Sequence, residues 1–201
     1  PLTLSDTGSI TSSGGTIDFQ GSIDAAGDLT ANAATTIILG GDVTAGGILD
    51  LTATHLTLDA GLSLAAASLA VEAAGGAITL ADTTTLTATG NLTLTATGDI
   101  ALSTLTADTV VVDAGGAIVD NTTLDAANID AAASLTLTAC TGIGAAEADG
   151  DIDINGAVTA ATGTAGIFLA DADAMTVNGL TAITGGDIMA TSGGGMTVAG
   201  D

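Results

Sequence analysis

The chain has 201 residues, no lysine or arginine against 23 acidic residues, and a formal net charge of -23. A surface of that sign lacks the cations needed to neutralise phosphates, which excludes nucleic acid and anionic membranes as partners. Apolar residues make up 47% of the chain, but with two phenylalanines and no tryptophan or tyrosine any core has to be thin and built from small aliphatic groups.

Leu, Ile and Val recur along the whole length, unlike in disordered acidic chains, and no run approaches the roughly 20 apolar residues that a bilayer-crossing helix needs. In chain order the same short phrase returns: "GTIDF" from Gly15, "TTIIL" from Thr35, "THLTL" from Thr54, "GAITL" from Gly76, "GDIAL" from Gly98 and "GAIVD" from Gly116. The starts lie about 18 to 22 residues apart, a spacing that marks a repeat architecture. Between them stand further alternations, "LSL" at Leu62, "LAV" at Leu69, "NLTL" at Asn91 and "VVVD" at Val110, so each repeat holds two or three short strands. Alternation with period two puts Leu, Ile and Val on one face and Thr, Ser and Asp on the other. Gly, Asp, Asn and Ser between the strands supply the backbone freedom and side-chain turn bonds that corners need.

Two alanine-rich segments, "LSLAAASLAVEAAG" from Leu62 and "LDAANIDAAASL" from Leu124, compete for helix. Strand is the better reading, because Leu62 with Leu64 and Leu69 with Val71 keep the alternation and no Glu-to-Lys pairs support a helix. The pattern predicts an all-β fold, a right-handed parallel β-solenoid of roughly ten turns of about 20 residues, on the order of 50 Å long. No composition shift divides it, so residues 1–201 read as one repeat domain. The chain opens at Pro1 without a signal-peptide pattern and reads as an internal section of a longer chain.

"AGGAIVDN" from Ala114, "SLTLTACTGIG" from Ser134 and "GTAGIFLADADAMTV" from Gly163 resemble the repeat region of large filamentous-haemagglutinin-like exoproteins, the secreted β-solenoid adhesins of Gram-negative bacteria. The resemblance implies a non-enzymatic shaft, extracellular or attached to the cell surface. It also implies partners that are flanking repeats of the same chain, other copies of it, or cell-surface and matrix polymers. It carries over no catalytic residue.

"DGDIDING", Asp149 to Gly156, is the most suggestive chemical segment. Asp149, Asp151, Asp153 and Asn155 offer alternate oxygen ligands ahead of a glycine, as in the first half of a helix-loop-helix calcium loop. The closing bidentate Glu is missing, since its position is Thr162, and Ile152 and Ile154 have the phase of inward strand residues. A solvated acidic strand face accounts for the same residues. "DAD" at Asp171 to Asp173 is a weaker version of the same signal. The fold requires no cofactor; calcium is the ion that the acidic segment would take. A looser atmosphere of divalent cations, able to bridge neighbouring rods, follows from the charge density alone.

Threonines at alternate positions, Thr93 with Thr95 and Thr136 with Thr138, resemble the hydroxyl ranks of ice-binding solenoids, but threonine is also a good outward strand residue. Some parallel β-helices cleave polysaccharides, but they need basic groups and aromatic platforms that this chain lacks, so no enzyme is expected. His55 precedes an alternating run and is expected outward or at a corner. Cys140, which cannot form an internal disulfide, is expected as a partly buried filler. Asn91-Leu92-Thr93 and Asn121-Thr122-Thr123 match the glycosylation pattern, which is frequent by chance.

The composite reading is a rigid shaft section. A filament subunit stacking end to end through its open strand edges has the same sequence physics. Without lysine or arginine the chain offers trypsin no cleavage site. Its solubility is expected to collapse near its isoelectric point of about 4.1, as a turbidity titration would show.

Overall fold

Strands of alternating aliphatic and polar residues can bury one face only by stacking, and here each stacks on its own repeat. The computed structural model describes residues 1–123, 127–146, 150–155, 157–162 and 164–199, and contains no helix among them. The strands build a parallel β-solenoid of about nine turns with about 21 residues per turn. A coil consists of three faces. In the first coil these are Leu2–Leu4, Gly8–Ser12 and Ile17–Phe19, and in the second Ile23–Ala25, Leu29–Ala33 and Thr36–Leu39. Each strand pairs in parallel with its equivalents in the coils below and above.

The core is a set of vertical aliphatic columns. On the third face the column runs Ile17, Ile37, Leu56, Ile78, Ile100, Ile118, Ile143, Ile167 and Ile188. On the second face Leu29, Leu49, Leu69, Leu92, Val110, Leu135, Val158 and Val177 stack in register. Beside the corner that follows, Ala53, Ala73, Ala96, Ala114 and Ala139 form a column of their own. Two faces converge at that corner, and a methyl group is what fits. The narrow bore therefore explains both the alanine content and the near absence of aromatics.

The described parts of both alanine-rich segments form strands and no helix. The first forms Ser63–Ala66 and Ser68–Ala73. From the second, Ile129–Ala139 is one strand, and residues 124–126 lie outside the described residues. The strands are longer than expected in the middle of the chain. Thr104–Ala114 and Ile129–Ala139 each run 11 residues and serve the first and second faces in turn. The corner between those faces holds Asp108 in one coil and Ala132-Ala133 in the other, with no glycine, so the backbone bends through it without leaving the extended state. The register shift between Ala107 and Thr109 marks the bend.

There are nine turns instead of ten because two later coils are long. Ile100 to Ile118 spans 18 residues, but Ile118 to Ile143 spans 25 and Ile143 to Ile167 spans 24. One excess falls at the corner between Asp120 and Asn128. The other falls where the chain leaves the third face at Gly144 (φ 66°) and rejoins it at Ile152, with Ala145 N–H donating to Gly150 O at 2.5 Å. Cys140 departs from expectation as well: it is exposed, because Ala139 takes the inward position and the next residue points out. His55 is exposed at the start of its strand, as expected.

Candidate functional site

Acidic side chains at the corners are not all solvated. Ile48 N–H donates to Asp28 Oδ1 at 2.8 Å, Ser63 N–H to Asp42 Oδ1 at 2.9 Å and Ala117 N–H to Asp99 Oδ1 at 2.8 Å. The acceptor lies one coil before its donor in each case, with separations of 20, 21 and 18 residues. At a corner the chain turns out of the ladder and its N–H groups lose their strand partners, so a carboxylate from the coil below replaces them. Two of these bonds depend on glycine. A Cβ at Gly47 would stand 2.0 Å from Asp28 Oδ1, and one at Gly116 would stand 2.1 Å from Asp99 Oδ1. Asp28→Ala is expected to cost about 1–2 kcal/mol by orphaning the Ile48 N–H, whereas Asp24→Ala, on the exposed phase of the first face, changes stability by less than about 0.5 kcal/mol. Urea denaturation of the two variants, side by side, measures the difference.

The corner between the third and first faces becomes a polar network where the coils lengthen. Asp120 ends the strand Ile118–Asp120 on the inward phase of Ile118. Its Oδ1 accepts from Thr122 N–H (2.8 Å), Thr122 Oγ1–H (2.9 Å) and Asn128 Nδ2–H (2.7 Å). Asn128 is fully buried and passes the connection upward, its Oδ1 accepting from Asp153 N–H at 2.9 Å. An inward carboxylate is thus held in place by donors supplied by its own corner.

One coil higher the same corner opens into a pocket of about 380 Å³ lined by Asp151, Asp153, Asn155, Asp171 and Asp173, with Ala127 below. Asp151 and Asp153 are half-buried, and Ile152 and Ile154 between them point into the core at 0% and 2% exposure, as the alternation predicts. Asn155 is exposed and donates from Nδ2 to Asp130 Oδ1 at 3.2 Å. Asp149 lies outside the described residues. The run Ile152–Asn155 is a strand, and Thr162 pairs with Ala139 and Ala182 on the second face, so the helix-loop-helix calcium loop is not formed here. Among the described residues no three acidic side chains converge closely enough to ligate a metal on their own.

The second acidic phrase, "DAD", meets the first in this pocket. Asp153 sits opposite Ala170 in the ladder, which brings Asp171 and Asp173 to the same corner from the next coil. That juxtaposition is invisible in either phrase alone. The signal that could have revealed it is the lengthened period, since insertions in solenoids collect on one face and carry its special chemistry. On the second face, the outward neighbours of Thr93 are Ala70 and Val111, and those of Thr95 are Glu72 and Asp113. These columns break the flat hydroxyl array that ice binding needs. No known protein family, curated protein or solved structure matches the chain.

Proposed function

We propose that this chain is a section of non-enzymatic structural shaft in an extracellular, filamentous-haemagglutinin-like adhesin or cell-surface fibre of a Gram-negative bacterium. Its task is to set distance and stiffness between adhesive parts. The observation that carries the reading is the third-face column from Ile17 to Ile167, which keeps one buried aliphatic residue in each coil it crosses. A solenoid whose coils touch only their neighbours gains length by simple repetition, and its stiffness comes from the continuous ladders. At nine turns the described section is roughly 43 Å long at about 4.8 Å per rung.

A second reading, end-to-end stacking into a filament, is favoured by a specific observation. The terminal coils leave apolar residues uncovered: Leu2 at one end, and Ile183, Ile188, Met189, Met196 and Val198 at the other. These residues sit on the first and last coils of the described section, where a further parallel coil, from this chain or from another copy, would cover them. In this reading the partners are copies of the same chain, with divalent cations between the acidic flanks of neighbouring rods.

Cryo-electron microscopy of the purified chain, with and without a chelator, tests both. Uniform rods of about 43 Å with an axial repeat of about 4.8 Å are expected for the shaft section, and long filaments with that repeat for the stacking reading. Particles without the axial repeat would overturn both. Separation of laterally associated rods on chelation would make cation bridging part of the assembly.

A further inference from the structure

We propose that the pocket between Asp153 and Asp171 is a binding site for one hydrated divalent cation, calcium or magnesium, with Asp171 as its anchoring ligand. Asp171 continues the inward phase of Ile167 and Leu169 and is 4% exposed, so a carboxylate occupies the place of a core aliphatic. Its Oδ1 accepts from Asp173 N–H at 2.8 Å, but its Oδ2 has no hydrogen-bond partner among the described residues.

Buried carboxylates need donors or a counter-charge. Half-buried Asp120 shows how the fold satisfies an inward carboxylate, with Thr122 and Asn128 donating to it. For Asp171 Oδ2 the described residues offer nothing equivalent. The chain has no lysine or arginine, and its single histidine precedes Leu56, which lies five rungs from Ile167 in the third-face column, about 24 Å away. A compensating positive charge has to come from solution.

The pocket is suited to a hydrated ion instead of a bare one. No three described carboxylates close on a common point, but Asp151, Asp153 and Asp173 surround the same space as Asp171. At about 30 Å³ per water, 380 Å³ accommodates an ion with its water shell. Hard divalent cations are commonly held through one or two carboxylates, with waters completing the shell. The bound ion would fasten the corner where Asp153 and Asp171 meet from successive coils, the place where the period is least regular.

Isothermal titration of the whole chain with calcium chloride, and separately with magnesium chloride, tests this at about 0.15 M sodium chloride, where the diffuse ion atmosphere is screened. A single saturable site per chain is expected for at least one of the two ions. Asp171→Asn should weaken it by at least about tenfold, while Asp42→Asn, on the same corner several coils away, should leave it unchanged. Absence of a saturable site, or unchanged affinity in Asp171→Asn, would overturn the proposal. If circular dichroism shows that Asp171→Asn does not fold, the exposed Asp173→Asn decides, with weakened binding supporting the site and unchanged affinity overturning it. The outcome is independent of the shaft reading: rods without a saturable site sink this proposal alone, and a saturable site on particles that are not rods sinks the shaft alone.

Discussion

Leu94→Ala is expected to destabilise the solenoid by about 3–4 kcal/mol, in the middle of the range for emptying a leucine-sized space in a packed core. Leu94 is fully buried and stacks between Val71 in the coil below and Val112 in the coil above. Neither β-branched neighbour can swing into the space, because each is fixed by its own rung. The position matters as much as the residue. Coils contact only their neighbours, so a weakened central coil loosens the coupling between the two halves of the rod and broadens the unfolding transition as well as lowering its midpoint. Leu180, half-buried in the penultimate coil, provides the comparison: Leu180→Ala is expected to cost about 1 kcal/mol and leave the transition sharp. Guanidinium unfolding followed by circular dichroism separates the cases, and equal midpoints for the two variants would show that the core columns do not carry the stability.

Leu94 also shows why so much of this fold was legible in the sequence. In "NLTLTA" the alternation of Leu with Thr states which side chains go in, and its return about every 20 residues states that they stack. Both inferences are local, and the parallel registers of Leu92, Leu94 and Ala96 with their neighbours follow from them. What depends on stacking geometry was not legible. The Asp42 carboxylate accepts from Ser63, 21 residues on, only because one coil places them together, and nothing in the phrase around Asp42 distinguishes it from the solvated Asp24. The same holds for the candidate site. "DGDIDING" advertised its acids, but the calcium-loop template looked for a closing ligand at Thr162, whereas the strand phase of Ile152 and Ile154 sends the chain onward to the second face by that point. The acids that face Asp153 come from the next coil, at Asp171 and Asp173. Cys140 was misplaced for a smaller reason: after Ala139 the inward phase is used, and the next residue has only the outside available.

Gly46→Ala is expected to cost about 3 kcal/mol, although it adds a single methyl group at a corner. A Cβ at Gly46 would stand 2.2 Å from the backbone oxygen of Ala26 in the coil below and 3.0 Å from its carbonyl carbon. The obstacle is backbone, which cannot rotate away as a side chain would. Gly46 N–H also donates to Ala25 O at 2.9 Å, which holds the two coils at this separation. To admit the methyl group the corner has to lift, stretching that bond and the adjoining ladder of Val43 and Ala45 against Ile23 and Ala25. Overpacking of this kind costs about 1–3 kcal/mol, and the upper figure applies because neither side can yield alone. Gly14→Ala is the control, since a Cβ there meets nothing within 4 Å and the change is expected to stay below about 0.5 kcal/mol. A thermal melt of each variant against the parent chain is sufficient. If Gly46→Ala melts with the parent, the corner is softer than the close approach to Ala26 O indicates, and rung spacing at the corners is not what selects glycine there.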